Sequence, residues 1–170
     1  MVNSVDSMQS IDNRILITGA SGFVGSYLIP ALRKSFVDSK LYPCCIGKIL
    51  PKDAVNVEWL NLDLRDYDQF DNLIRKIKPT HILHLASVSH VPTSINDPHK
   101  TFEVNLMATL HMFDSILKIT PKTKIIYISS SEVYGKSFKN GLALTEDAVL
   151  QPENPYAVSK MATDQIGRAH

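Results

Sequence analysis

Two side chains near the carboxyl end of the chain could move a proton. Tyr156 and Lys160 are four residues apart, so in a helix they lie on one face. A free phenol has a pKa near 10 and is a poor base at neutral pH. An ammonium group about 4 Å away contributes roughly 4 kcal/mol at an effective dielectric near 20, which lowers a phenol pKa by about three units. The pair therefore indicates acid–base chemistry.

A glycine-rich segment near the amino end could hold phosphate groups. TGASGFVG (residues 18–25) follows the apolar run RILIT and precedes a helical pattern. Gly19 permits a sharp turn, Gly22 lets a pyrophosphate approach the backbone, and Gly25 lets the helix pack on the sheet. Exposed amides at the positive end of this helix would face the phosphates; they belong to Ser21, Gly22, Phe23 and Val24. Gly25 is counted with them among the cofactor-binding residues. An ordinary glycine-rich turn is the alternative, which the strand-to-helix context disfavours.

Apolar runs and helical patterns alternate along the chain. Strands are predicted over residues 14–18, 41–46, 56–60, 81–86 and 124–129, and Pro43 weakens the second of these. Helices are predicted over residues 23–36, 66–78 and 98–119, with a last helix from Pro155. Strands that alternate with helices, without hairpin signals, imply right-handed crossovers. The sequence therefore predicts an α/β fold with a doubly wound parallel sheet.

Composition excludes several function classes. The chain has 170 residues, 44% hydrophobic and 21% charged, with a formal charge of +1, which is ordinary for one globular domain. This charge gives no reason to expect nucleic acid or a membrane as partner. The adjacent Cys44 and Cys45 would point to opposite faces of a strand, which makes a poor metal clamp. We therefore expect buried thiols in a reducing cytoplasm and no metal site.

Polar residues follow three of the predicted strands. Lys48 stands near the position where an acid usually holds the ribose hydroxyls, so it could accept a 2′-phosphate or be an exposed loop lysine. Asp63 could accept a hydrogen bond from an adenine amino group, or be a solvated turn residue. In SSSEVYG (residues 129–135) a hydroxyl could orient a reacting oxygen toward Tyr156, or the serines could simply cap the strand. Glu132 is either a solvated acid or a second acid–base group.

Five motifs in order resemble those of the extended short-chain dehydrogenase/reductases, the NAD-dependent epimerase/dehydratase family. They are TGASGFVG, HLAS, the asparagine of FEVN, SSSEVYG and NPYAVSK, and the resemblance covers residues 14–164. Within this family the chain is most similar to the GDP-mannose dehydratases and GDP-6-deoxymannose reductases. Ser131 departs from the aspartate of the dTDP-glucose dehydratases.

The resemblance implies roles for particular residues. It implies a Rossmann domain over residues 13–165 that binds NAD or NADP, with Lys48 favouring NADP. Ser130, Tyr156 and Lys160 would form the catalytic set, and Glu132 would remove a sugar ring proton in a dehydratase. The implied cofactor contacts, besides the glycine turn, are Lys48, Asp63, Leu64, Leu85, Ala86, Ser87, Asn105, Tyr156 and Lys160.

The family implies an enzyme that acts on a nucleotide sugar. A dehydratase, a reductase and an epimerase all remain open, with a GDP-, dTDP- or UDP-sugar as substrate. The alternative is a non-catalytic NAD(P)-binding module that senses redox state or binds a partner. The family also implies a homodimer when the protein is full length, formed through the helix of residues 98–119 and the helix that carries Tyr156.

The two ends of the chain carry separate expectations. Residues 1–12 are polar and read as a disordered lead-in. Residues 166–170 do not continue the family's helix pattern and read as a non-native tail. Family members run to about twice this length, so the domain is expected to be incomplete, its last strands and its substrate domain missing. The fifth strand would then form an exposed edge, which is an aggregation hazard, and this piece alone would show little turnover.

Overall fold

Five parallel strands form the centre of the molecule. The computed structural model describes residues 13–47, 56–141 and 143–169. The strands are β1 (Arg14–Thr18), β2 (Lys40–Cys45), β3 (Leu60–Asn61), β4 (His81–His84) and β5 (Lys124–Tyr127). They lie in the order β3-β2-β1-β4-β5, and every pair is parallel. The order reverses direction between β1 and β4, so the predicted doubly wound α/β sheet is confirmed.

Helices connect the strands. They are α1 (Phe23–Ser35), α2 (Tyr67–Ile77), α3 (Val91–Asn96), α4 (Pro98–Phe102), a π-helix (Glu103–Met107), α5 (Ala108–Ile119), a 3-10 helix (Ser131–Asn140) and α6 (Pro155–Ala169). The Asp66 carboxylate caps α2 by accepting from the Gln69 amide, and α2 ends at Lys78 in a left-handed conformation just before Pro79. Among the described residues, no helix combines the length and the apolar character needed to span a bilayer.

Each face of the sheet packs against helices. Leu16 and Ile82 point to one face, where they pack with Phe70 of α2 and Met112 of α5. The neighbouring side chains of β1 point to the other face, against α1. The continuous apolar run of the first strand is therefore explained by burial on both sides.

The bounds of β2, β4 and β5 differ by one or two residues from the prediction, and those of β3 differ most. The third strand is Leu60–Asn61 rather than residues 56–60, because Asn56 adopts a positive φ of 62° and only an isolated bridge joins Val57 to Leu41. Pro43 does lie inside β2, paired with Ile17. It is tolerated because β3 pairs with β2 only from Cys44 onward, so the missing N–H of Pro43 interrupts no bond of that ladder.

The predicted helix over residues 98–119 is divided. It begins at Pro98 and ends at Ile119 as expected, but the π-helix Glu103–Met107 separates α4 from α5. The hydroxyl of Thr163 on α6 donates to the carbonyl oxygen of Asn105 in this segment, at 3.0 Å. Side-chain insertion of this kind accompanies irregular helical turns. The sequence also missed the short helix α3 and the 3-10 helix.

The structure describes only one of the two terminal segments for which the sequence analysis made predictions. Residues 1–12 lie outside the described residues. The helix α6 continues to Ala169, and Ile166 packs against the hydrophobic core. That residues 166–170 are non-native stays a prediction.

Candidate active site

The glycine-rich turn connects β1 to α1 at the carboxyl edge of the sheet. Gly19 has a φ of +64°, and a Cβ on it would lie 2.6 Å from the backbone nitrogen of Ala86. A Cβ on Gly25 would overlap the backbone of Ala20. Both positions therefore exclude a side chain. The residue that Gly25 contacts, Ala20, directly follows β1, and its amide donates to the Cys44 carbonyl oxygen of β2 at 3.0 Å.

The first turn of α1 presents backbone amides to solvent. Gly22 is the N-cap residue and has no side chain that could occupy the first amides. Phe23 is 80% exposed and Val24 is 53% exposed, so bulky groups do not bury this helix end. An uncapped helix end of this kind is suited to bind an anion.

A cleft of about 300 Å³ begins at this turn. It runs along the carboxyl ends of the strands and is lined by residues that follow β1, β2, β3 and β4, including Gly19, Ser21, Cys45, Ile46, Asp63, Leu64, Arg65, Ala86, Ser87, Val88 and Val104. The Ser87 hydroxyl is buried and has no hydrogen-bond partner among the described residues. A buried hydroxyl group without a hydrogen-bond partner, close to a glycine-rich turn, is suited to a ligand that carries polar groups of its own. Lys48 lies outside the described residues.

Asp63 is held by its near neighbour Arg65. The Arg65 backbone amide and Nε each donate to Asp63 Oδ1 at 3.0 Å, and Nη2 donates to Oδ2 at 2.7 Å. The hydrogen bonds from Arg65 lower the pKa of Asp63 below its ordinary value, against the opposing effect of burial. Arg65 also reaches Glu103, with Nη1 3.5 Å from Oε2.

Lys160 lies at the carboxyl end of β5. Its Nζ donates to the carbonyl oxygen of Ile128 at 2.6 Å and lies 4.6 Å from the centre of the Tyr127 ring. Lys160 is only 4% exposed. Burial lowers the pKa of Lys160 to about 8, although the charge of Asp164 opposes this shift. The ammonium group is therefore held by a carbonyl and an aromatic face.

A neutral histidine lies beneath this lysine. His84 is stacked on Tyr127, with ring centres 5.8 Å apart, and its two ring nitrogens lie 2.7 Å from Thr18 Oγ1 and 3.0 Å from Thr109 Oγ1. Burial, and then the charge of Lys160, lower the pKa of His84 to about 3. The ring is therefore neutral at physiological pH, and the lysine is not faced by a second cation from this side.

Buried hydrogen bonds hold the start of α6. The Tyr156 amide donates to the hydroxyl of Ser94, which is fully buried, at 3.2 Å. The Asn105 side chain accepts from the Val88 amide at 2.7 Å and donates to the Val88 carbonyl and to Ser159 Oγ, at 3.1 and 3.0 Å. Asn105 thus connects the segment after β4 to the helix that carries Tyr156 and Lys160. The hydrogen bonds of this side-chain amide hold the two segments together.

The motif after β5 approaches the same helix. Ser130 is the N-cap of the 3-10 helix, where its Oγ accepts from the Glu132 amide at 3.2 Å. A hydroxyl that accepts in this way keeps its own proton to donate. Glu132 is exposed, and its Oε2 accepts from Asn154 at 3.3 Å. Asn154 in turn caps α6 by accepting from the Ala157 amide at 2.8 Å.

Some of the expected residues line the cleft, and others lie outside it. The cleft contains Gly19, Ser21, Asp63, Leu64, Ala86 and Ser87. Leu85 instead packs into the core on the α1 side, and Asn105 is buried behind the cleft wall. Sequence reasoning missed several residues, namely Cys45, Ile46, Arg65, Ser94, Val104 and Tyr127. The position of Cys45 and Ile46 at the end of a strand could have indicated them.

The fold and this cleft define a Rossmann-type domain with a glycine-rich turn before an uncapped helix. The family described as GDP-mannose 4,6 dehydratase matches residues 16–170. The chain belongs to this family.

Individual relatives carry three related activities. The chain is 31% identical to a GDP-6-deoxy-D-mannose reductase of Pseudomonas aeruginosa, over 90% of this chain and 45% of that protein. It is 29% identical to a dTDP-D-glucose 4,6-dehydratase of Dictyostelium discoideum, over 92% of this chain and 40% of that protein. The crystal structure of a UDP-glucose 4-epimerase of Thermus thermophilus in complex with NAD matches with a TM-score of 0.80 and 29% identity, over 92% of this chain and 50% of the epimerase. The chain thus spans about half the length of the relatives it matches.

Proposed function

We propose that the chain is the cofactor-binding half of an NAD(P)-dependent enzyme that changes a sugar carbon of a nucleotide sugar. Family membership supports the reaction class, and relatives with reductase, dehydratase and epimerase names support a nucleotide-sugar substrate. The cleft supports the cofactor, because its glycine turn, uncapped helix end and orphan Ser87 hydroxyl suit a dinucleotide. When bound, the nicotinamide would supply the transfer of a hydride to or from the sugar carbon.

Three side chains would handle the proton in this reaction. The Tyr156 phenol would take the proton from the sugar hydroxyl, or return it in the reverse direction. Ser130 would donate its own proton in a hydrogen bond to the reacting oxygen and so orient it. Lys160, in its protonated form, would stabilise the phenolate. Glu132, near the cap of α6, would add a second acid–base group if the reaction is a dehydration.

The position of Lys160 is the observation that carries this proposal. Its ammonium group binds the carbonyl oxygen of Ile128, two residues before Ser130, while its helix carries Tyr156 one turn earlier. Burying a lysine is costly, and among the described residues no carboxylate is bonded directly to this ammonium group. A buried cation at the carboxyl end of β5, on the helix that carries Tyr156, indicates a functional role.

The proposal is tested with the full-length protein. We expect GDP-, dTDP- or UDP-hexoses, or the corresponding keto sugars, to react in the presence of NAD(P) in its oxidised or reduced form. The reaction is followed by the absorbance of the reduced nicotinamide and by the mass of the sugar product. A reductase consumes reduced cofactor in proportion to product, a dehydratase gives a product lighter by one water, and an epimerase gives an isomer. The variant Tyr156→Phe should lower kcat by at least about 100-fold, the usual contribution of a general acid–base group.

A matched tyrosine serves as control. Tyr67 begins α2 and stacks on His111, away from the residues that line the cleft, so Tyr67→Phe should keep the activity. If Tyr156→Phe retained full turnover, the catalytic role would be wrong. If the intact protein bound NAD(P) but turned over no nucleotide sugar, the alternative of a redox-sensing or partner-binding module would replace it.

Two finer assignments belong to the same proposal. Lys48 would bind the 2′-phosphate of NADP, so Lys48→Glu should weaken binding of reduced NADP by about tenfold and leave reduced NAD unchanged. The full-length protein would form a homodimer through the segment from Pro98 to Ile119 and α6, which the molecular mass from analytical ultracentrifugation would test. A monomer at micromolar concentration would contradict the dimer.

A further inference from the structure

Asp164 lies on α6 one turn after Lys160, as Tyr156 lies one turn before it. Its side chain is 18% exposed, and its Oδ2 accepts a hydrogen bond from Ser129 Oγ at 2.9 Å. The other oxygen, Oδ1, accepts from Nε of Arg168 at 2.8 Å. Arg168 is 61% exposed, and exposed ion pairs of this kind contribute little to stability. The contact with Ser129 is therefore the one that links this carboxylate to the proposed active site.

The Ser129 hydroxyl belongs to the segment that follows β5. Ile128, the residue before it, provides the carbonyl oxygen that Lys160 Nζ binds at 2.6 Å. Ser130, the residue after it, carries the hydroxyl that would orient the reacting oxygen. Two hydrogen bonds, one from Lys160 and one to Asp164, thus join successive turns of α6 to two consecutive residues of this segment. They set the position of the segment relative to the helix.

Asp164 also places a negative charge near the ammonium group of Lys160. Among the other titratable groups that face this lysine within the described ranges, the His84 ring is neutral at physiological pH, the Tyr127 ring presents its aromatic face, and Tyr156 carries a phenol. The charge of Asp164 raises the pKa of Lys160, against the larger effect of burial. The carboxylate thus keeps the ammonium group charged over a wider pH range than burial alone would allow.

We propose that Asp164 is a positioning residue of the active site, which through Ser129 holds the end of β5 against α6 and places its negative charge beside the ammonium group of Lys160. The inference rests on the proposed function, because the roles of Lys160 and Ser130 are taken from it. The charged form of Lys160 is the one that stabilises a phenolate on Tyr156. Loss of the carboxylate charge should therefore reduce turnover only at a pH where Lys160 loses its proton. A carboxylate that served the fold alone would show no such dependence on pH.

The experiment uses the full-length protein and two measurements. The ¹³Cε resonance of Lys160 gives the midpoint of its titration, and kcat is measured at pH 6.0 and 7.5 with whichever GDP-, dTDP- or UDP-sugar the wild type turns over fastest. Asp164→Asn removes the charge and keeps an oxygen that can accept from Ser129. It should lower the midpoint by about one pH unit, which is at the lower end for one neighbouring opposite charge. Since the wild-type midpoint is near 8, kcat should fall about threefold at pH 7.5 and stay almost unchanged at pH 6.0.

Three further variants separate the charge from the hydrogen bond. Asp164→Glu keeps the charge, so its midpoint should lie closer to that of the wild type than the midpoint of Asp164→Asn does. Ser129→Ala keeps the charge and loses the hydrogen bond, so the carboxylate can turn away and the midpoint should fall by a smaller amount. Asp114→Asn is the matched control, because Asp114 also pairs with a cation four residues later on its helix, Lys118, at 3.9 Å and at an exposed position. It should leave the midpoint and kcat unchanged.

The outcomes are distinguishable. An unchanged Lys160 midpoint in Asp164→Asn would overturn the inference, and so would an equal loss of kcat at both pH values. If Asp164→Asn is poorly folded by circular dichroism, Ser129→Ala decides, and an unchanged midpoint in that variant would overturn the inference. A wild type that turns over no nucleotide sugar would overturn the proposed function, whereas a lower midpoint in Asp164→Asn would still support the position of this carboxylate beside Lys160.

Discussion

At the scale of single residues, the most consequential feature is the burial of Lys160, to which no carboxylate of the described part of the chain is directly bonded. Its ammonium group contacts a carbonyl oxygen and an aromatic ring, and the histidine beneath it, His84, is neutral at physiological pH. These groups stabilise the charge only partly, so burial keeps the pKa of Lys160 near 8. The chain thus holds a cation whose charge depends on pH within the physiological range.

The titration of Lys160 can be followed directly. We expect the ¹³Cε resonance of Lys160 to titrate with a midpoint near pH 8, whereas exposed lysines titrate near 10.4. Lys160→Met should remove this resonance, and Lys124→Met, at an exposed position of β5, should not. A midpoint equal to that of exposed lysines would show that the ammonium group is solvated.

The same shift makes stability depend on pH. Between about pH 8 and 10.5 the unfolded chain keeps a proton on this lysine that the folded chain has lost. The free energy of unfolding should therefore rise with pH over this window, relative to Lys160→Met, and this pH dependence should be absent below pH 8. Urea unfolding of both proteins at several pH values measures the difference.

Residues that belong to a sequence motif could be proposed as part of the candidate site. Residues that contact them but belong to no motif were missed. The turn at Gly19 and the pair Tyr156 and Lys160 can be recognised from the spacing of their residues in the sequence. Tyr127 and Arg65 cannot, because their importance comes from the contacts that the fold makes. A tyrosine in an apolar strand reads only as a core residue, yet its ring lies against the lysine.

At the scale of elements, the turn between β1 and α1 is the most constrained segment. Gly19 combines a positive φ with close contact to Ala86, and Gly25 leaves no room beside Ala20. The turn therefore fixes the start of α1 against the segment after β4. This rigidity positions the helix amides that the proposed dinucleotide would use.

Three alanine substitutions separate backbone conformation from lack of space. Gly141→Ala, where φ is +65° and no atom lies within 4 Å, should cost about 1–2 kcal/mol from the backbone alone. Gly25→Ala should cost about 3 kcal/mol from overpacking, and Gly19→Ala, which suffers both effects, about 3–5 kcal/mol. Urea denaturation gives the three values. Equal losses at Gly19 and Gly141 would show that the contact with Ala86 is unimportant.

Element prediction succeeded where a periodic pattern is long and failed where tertiary contacts decide. β1 begins and ends where its apolar run does, whereas β3 is shortened by the positive φ of Asn56. The helix over residues 98–119 has a continuous apolar pattern, and the π-helix within it is invisible in that pattern. Its Asn105 is bound by groups on α6 and after β4, which are distant in sequence.

At the scale of the whole molecule, the sheet is covered unevenly. β5 pairs with β4 alone within the described ranges, so its other edge is open. An apolar groove of about 290 Å³ lies beside it, lined by residues of α5, β5 and α6 such as Phe113, Ile125 and Tyr127. On the other face of the same strand Ile126 is 52% exposed, and Ile128 just beyond it is 46% exposed. Both faces at this edge are therefore apolar and accessible.

An open apolar edge of this kind should make the 170-residue chain self-associate. Unpaired backbone groups and exposed branched side chains on a strand edge favour pairing with another chain. We expect light scattering to increase with protein concentration, and the double variant Ile126→Lys, Ile128→Lys to weaken association at least about tenfold, because one buried isoleucine contributes about 1.5–3 kcal/mol. Val149→Lys is the matched control, since Val149 is 67% exposed and lies outside the strands. Loss of association in the double variant, with unchanged association of Val149→Lys, would assign the self-association to the edge of β5. A monodisperse wild-type chain would show that this edge does not cause self-association. Equal association of the double variant and the wild type would show the same.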